Sequence, residues 1–227
     1  MPRPAIRAAL LGALLALPAP AAAGAWLKEK GGIYLAFSVE GGAADVWTGV
    51  YAEWGIAETT TVGLAAGRNR DSDRALLFTR RAVPERIGAV LTDRIGGLLA
   101  YELGGGVVDG DPAASVTLSW GRPISTRWGD GWANVDLTGI ATHRPVLEAE
   151  AYDPYAYTFE RKLDAVIGLR RTPRSTWQLA AYAWSDGEDS SLAIVPSYAR
   201  DLGLAEVRIG VRLGTETGLS FGLSRSF

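Results

Sequence analysis

The chain has 227 residues with a formal charge of −2, 28 glycines and no cysteine. That length supports one domain with a real core. The missing cysteines exclude a disulfide framework and thiolate metal sites, and the mildly acidic balance argues against a nucleic-acid partner.

The first segment reads as a targeting sequence. Arg3 and Arg7 precede the ten-residue apolar run AALLGALLAL, which is too short to cross a bilayer as a helix. Pro18 and Pro20 end the run, and small residues follow. The pattern predicts a secretory signal peptide over residues 1–23, cut after Ala23 or Ala25. Its removal takes two arginines and shifts the formal charge from −2 to −4. Residues 24–31 then form a short lead, and 32–227 one β-domain.

From residue 32 onward the signal is alternation with a period of two. Twelve segments are predicted, at 32–41, 45–56, 60–69, 74–83, 94–104, 113–122, 131–142, 157–170, 175–185, 190–200, 204–214 and 217–227. In the second, Val46, Thr48, Val50, Ala52, Trp54 and Ile56 oppose Asp45, Trp47, Gly49, Tyr51 and Glu53. In the eleventh, Ala205, Val207, Ile209, Val211 and Leu213 oppose Glu206, Arg208, Gly210 and Arg212. Residues 84–94 are ambiguous, with an earlier start of the fifth strand as one option.

Alternation fits either a soluble sandwich or a membrane barrel. Segments near ten residues match a tilted membrane strand better than a sandwich strand of five or six. An even strand count brings both termini to one side, the periplasmic one. With that orientation Trp54, Trp120, Trp177, Tyr198 and Phe227 fall on the apolar face at the lower ends, and Tyr101, Tyr157 and Phe159 at the upper ends. Two aromatic girdles are thereby predicted. Three arginines, Arg80, Arg161 and Arg225, fall on the outward set near strand ends, where a long side chain can snorkel. The expectation is an all-β, antiparallel up-and-down transmembrane barrel of about twelve strands, with ten as the alternative. The lower links are AETT, RRTPRS and Asp201–Gly203; the upper loops are RNRDSD, GGVVDGDP and THRPVLEAEAYDP. PISTRWGDG, residues 123–131, is long for a lower turn.

The stretches GAWLKEKGG, YAEWGIAETTTVGLAAG and KLDAVIGLRRTPRSTWQLAAYAW resemble the porin-like outer-membrane β-barrels of Gram-negative bacteria. More narrowly, they resemble a secreted barrel family of alphaproteobacteria with no defined substrate. Phe227, with apolar residues at alternate preceding positions, is similar to the C-terminal signal read by the barrel-assembly machinery, from which Arg225 departs. The resemblance implies an outer-membrane location, with membrane lipid and that machinery as partners, and carries no site residues over.

The inward set is the candidate site. It holds Glu53, Glu102, Asp136, Lys162, Asp164, Arg170, Gln178, Glu206, Arg208 and Arg212, with Arg81 a further candidate. Mixed charges there suit a narrow pore that orients a small polar solute, or a salt-bridge network that closes the barrel. Small inward residues on strands 3, 6 and 12 lean toward open space. No cofactor or metal is expected: the oxygen ligands of DGDP and RNRDSD match no twelve-residue calcium loop. Catalysis is not expected either. His143 could act as the base of a Ser–His hydrolase at the rim, but no G-x-S-x-G elbow accompanies it.

Overall fold

Alternating residues with β-branched and aromatic side chains satisfy their backbone only by pairing with neighbours, and a sheet leaves no unpaired edge only when it closes. The computed structural model describes residues 24–42, 45–145 and 155–227, and in it the sheet closes. The predicted signal segment 1–23 and most of the THRPVLEAEAYDP stretch lie outside the described residues.

Twelve antiparallel strands follow one another around the barrel in chain order: β1 (Ile33–Gly41), β2 (Val46–Ala57), β3 (Thr60–Arg68), β4 (Asp73–Ala82), β5 (Leu98–Val108), β6 (Asp111–Thr126), β7 (Gly129–Pro145), β8 (Tyr155–Thr172), β9 (Ser175–Ser185), β10 (Ser190–Asp201), β11 (Glu206–Gly214) and β12 (Gly218–Ser226). One helix, α1 (Glu85–Ile95), interrupts them between β4 and β5. β1 and β12 close the barrel with Phe37 opposite Leu223. Ile33 and Phe227 exchange both backbone hydrogen bonds, at 3.2 and 2.8 Å, so the sheet is sealed to its last residue. Ile33 and Phe227 therefore share one rim, here the terminal rim; the other is the distal rim.

The outer face carries a belt of apolar side chains. Leu77, Leu103, Leu192, Ile209 and Leu219 are each more than half exposed. Near the terminal rim Trp54, Trp120, Trp177, Tyr198 and Phe227 lie on this outer face, with Trp177 and Tyr198 in ring contact at 5.0 Å. Near the distal rim Tyr157 and Phe159 stack at 6.5 Å.

Tyr101 is not with them. β5 starts at Leu98, four residues later than the alternation predicts, and Tyr101 stands opposite Arg81 in the half of the barrel nearer the terminal rim. The cause is α1, which occupies the ambiguous stretch. Gly96 (φ 67°) and Gly97 (φ 96°) turn the chain out of the helix, and the Trp120 Nε1–H holds its end by donating to the Gly96 carbonyl at 2.8 Å.

Two links also differ from expectation. GGVVDGDP is no loop: β5 and β6 meet at a two-residue turn, Asp109–Gly110, with φ of 54° and 84°. PISTRWGDG is long because β6 and β7 run on as a hairpin, paired to Thr126–Gly129. The oxygen-rich turns tie to each other, with Asp109 Oδ1 accepting from the Ser72 hydroxyl at 2.7 Å and from the Asp73 amide at 3.0 Å.

Candidate functional site: a charged vestibule over a packed barrel centre

Strand parity decides what points inward. On β2 it turns Trp47, Tyr51 and Glu53 into the lumen, and Glu53 is only 1% exposed. On β4 it turns Arg74, Leu76, Phe78 and Arg80 inward and leaves Arg81 outside. This reverses the expected face of β4. Arg80 does not snorkel toward the outer surface; it is 5% exposed inside the lumen, toward the terminal rim. The sequence ALLFTRRA is apolar on both faces and then doubly basic, so alternation could not decide between two parities one residue apart.

Arg80 organises a cluster in the terminal half of the lumen. Its guanidinium pairs with Glu53, reaches Glu102 Oε2 at 2.8 Å and donates to the Tyr51 hydroxyl oxygen at 2.9 Å. The Tyr51 hydroxyl donates in turn to Glu53 Oε1 at 2.7 Å. Lys28 Nζ, from the N-terminal lead, approaches Glu53 Oε2 at 3.7 Å. Two cations thus face two carboxylates in a cluster that water scarcely reaches, which is the condition under which buried charges are tolerated. Burial holds the Lys28 ammonium below its ordinary pKa, and the Glu53 carboxylate opposes that shift.

Aromatic rings fill lumen space over glycines at several heights. Phe78 lies over Gly63 and stacks on Tyr51 at 5.6 Å; Trp132 covers Gly168, and Trp47 covers Gly67. A Cβ at any of these three glycines would strike the ring. Gly63 and Gly67 of β3 therefore do not mark open space, since rings from neighbouring strands occupy it, whereas Ala65 between them lines a cavity.

Distal to the cluster lies a cavity of about 710 Å³. Tyr51 forms part of its floor, and the β1–β2, β3–β4 and β11–β12 links its mouth. Its wall carries Arg74, Lys162 and Arg212 together with Glu40 and Asp164, and four aromatic side chains, Trp47, Tyr51, Tyr182 and Trp184. The charges are partly matched. Arg74 lies 3.4 Å and Lys162 3.8 Å from Glu160 Oε2, which also accepts from Trp184 Nε1–H at 2.9 Å; Arg212 lies 3.6 Å from Glu40. Arg74 also sits over the Trp47 ring at 5.3 Å.

The ten inward candidates divide by height and company. Glu53 and Glu102 meet at Arg80. Lys162, Asp164 and Arg212 line the cavity. Asp136 and Asp164 stand opposite each other on β7 and β8, and Asn134 Nδ2 donates to Asp136 Oδ2 at 3.2 Å. Glu206 and Arg208 pair with each other at 3.0 Å. Gln178 stands opposite Gly168 and Ser197, and Arg170 opposite Asp130 near the terminal rim, where neither joins the cluster or the cavity wall. Sequence reasoning passed over Lys28, Glu40, Arg74, Glu160 and the lumen aromatics, and placed Arg80 on the outward face. Glu40, Glu160 and Trp47 occupy alternate inward positions and were legible by parity; Lys28 precedes the first strand and was not. His143 lies on the outer face opposite Tyr157, their rings 5.3 Å apart, away from the cavity.

No protein-family model and no curated protein matches the sequence. The fold does have solved counterparts. A structure of the KdgM porin superposes with a TM-score of 0.55 at 8% identity, covering 86% of this chain and 99% of that one. A structure of the NanC porin gives 0.51 at 9% identity, covering 85% and 97%. At that identity the likeness establishes the architecture: this chain has the closed twelve-strand barrel that those porins have.

Proposed function

We propose that the protein is an outer-membrane channel for small hydrophilic solutes, exported by a cleaved signal peptide and inserted by the barrel-assembly machinery through β12. The carrying observation is the distal cavity, a polar, charge-bearing space of about 710 Å³ inside a barrel whose exterior is apolar. The exposed belt suits acyl chains, and the aromatics near each rim suit the two interfaces. Within the cavity, separated cations and carboxylates orient a solute that carries both donors and acceptors, while Trp47, Tyr51, Tyr182 and Trp184 offer flat faces to its apolar side. The fold shared with KdgM and NanC porins, and the resemblance to alphaproteobacterial barrels, support the same reading. Its mode is passive, and no catalytic role is assigned to His143.

A second reading rests on a different observation. Glu53 and Arg80 are buried and the rings around them are closely packed, as in a closed barrel that serves as a scaffold or a surface-interaction module. Planar-bilayer recording of refolded protein separates the two. Discrete conductance steps support the channel. Silence from protein that still runs as a heat-modifiable band favours the scaffold. Recovery of the protein in the soluble periplasmic fraction would defeat both.

A further inference from the structure

The N-terminal lead does not hang below the barrel; it enters it. Gly24 abuts inward-facing Asn134 so closely that a Cβ there would lie 2.9 Å from Asn134 Cβ. Ala25 is 3% exposed. Trp26 lies on Gly121 of β6, and the Lys28 amide donates to Thr61 Oγ1 at 2.9 Å. Four strands, β2, β3, β6 and β7, therefore receive the non-strand segment Gly24–Lys28 on their inward faces.

Gly24 arrives beside the Asn134 amide, where a Cβ would also lie 3.0 Å from Nδ2, and two buried acceptors of this pair of residues, Asn134 and Asp136, lack a donor. Asn134 is 2% exposed, and its Oδ1 is buried with no hydrogen-bond partner; Asp136 Oδ1 is in the same state. Asn134 Nδ2 donates to Asp136 Oδ2 and serves neither of those acceptors. Across the sheet Asp136 meets a second carboxylate, Asp164, rather than a cation. The lumen cations Arg80 and Lys28 are committed elsewhere, Arg80 to Glu53 and Glu102 and Lys28 to Glu53. A buried carboxylate oxygen beside a buried amide oxygen calls for a compact cation with several N–H donors, and an ammonium has three.

We infer that export processing cuts between Ala23 and Gly24, and that the α-ammonium so created is the missing partner of Asn134 Oδ1 and Asp136 Oδ1. The step is a hydrolysis by a leader peptidase. The Ala23–Gly24 amide bond breaks, water supplies the oxygen of the new Ala23 carboxylate, and the Gly24 nitrogen leaves as an amine. With an ordinary α-amino pKa of about 7.7–8.0 it takes up a proton at neutral pH. The alternative cut after Ala25 would discard a residue that the lumen buries. The lead then becomes an internal plug pinned at two points, by its own terminus at Asn134 and Asp136 and by Lys28 at Glu53.

The test is chemical and does not depend on conductance. Protein purified from the membranes of expressing cells is sequenced from its N-terminus and weighed intact. The expected first residue is Gly24; Trp26 or Met1 overturns the inference. The same preparation is treated with 2-pyridinecarboxaldehyde, which marks α-amines and spares lysine, both folded and heat-denatured. Labelling of the folded form is expected to be slower by about tenfold or more, as for a group reached only by local opening. Equal rates overturn the inference with no variant required. Asp136→Asn, checked for its heat-modifiable band, should recover most of the denatured rate, and a folded variant that stays protected counts against the assignment. A protein that conducts nothing yet begins at a protected Gly24 would defeat the channel reading and leave this one standing.

Discussion

Arg80 and Arg81 are adjacent, identical in chemistry and opposite in consequence. Arg80 is surrounded by Glu53, Glu102 and Tyr51, whereas Arg81 stands on the outer face near a strand end. Replacing Arg80 with leucine leaves Glu53 buried without its main partner and is expected to cost about 3–5 kcal/mol. Arg81→Leu should cost under about 1 kcal/mol, since it removes only an exposed charge. Urea unfolding followed by loss of the heat-modifiable band measures both, and equal losses would contradict the inward placement of Arg80. The same comparison shows why one residue's face was illegible. Along β2 or β11 each position constrains the next by contrast, but in ALLFTRRA neighbours are alike, and the parity is decided by which arginine finds carboxylates.

Among the elements, β12 has the clearest division of faces. Leu219, Phe221, Leu223 and Arg225 point outward, and Gly218, Ser220, Gly222 and Ser224 inward. Arg225, the odd member, lies over the Phe227 ring at 4.6 Å beside the terminal rim, where a cation costs about 0–1 kcal/mol. If that strand meets lipid, Leu223→Asp should lower membrane accumulation sharply, by on the order of 1–3 kcal/mol, and Ser224→Asp should do so far less. Membrane fractionation with immunoblotting compares them; equal accumulation would refute the lipid-facing assignment. The β5–β6 turn makes a second element-scale prediction. Gly110 has φ 84°, so Gly110→Ala should cost about 1–2 kcal/mol, measured by the same unfolding assay, and no loss would mean that the turn relaxes. Helix α1 had a readable signal that strand alternation overshadowed. Ile87, Val90, Leu91 and Ile95 follow helical spacing, with Pro84 before them and Gly96 after.

At the scale of the whole molecule, the barrel is unevenly filled. The terminal half holds the lead, the Arg80 cluster and the rings of Phe78 and Trp132 over Gly63 and Gly168; the distal half holds the cavity, with Trp47 over Gly67 on its wall. Deleting residues 24–30 should therefore raise single-channel conductance several-fold in planar bilayers, because it removes backbone and the Trp26 and Lys28 side chains from the narrow half. An unchanged conductance would show that the lead does not limit passage. The twelve strands, their antiparallel order and most of their faces were legible in the chain, because a period of two is a local property and each strand carries its own copy of it. The ten charged and polar lumen candidates followed from the same parity. What fills the lumen is not local. The face of β4, the aromatic lids over Gly63, Gly67 and Gly168, and the entry of Gly24–Lys28 depend on which side chains meet across strands that closure alone brings together. The sequence by itself determined a closed two-faced sheet. Only the tertiary structure decided where that sheet is solid and where it is hollow, since interior volume is shared by twelve strands and belongs to none of them.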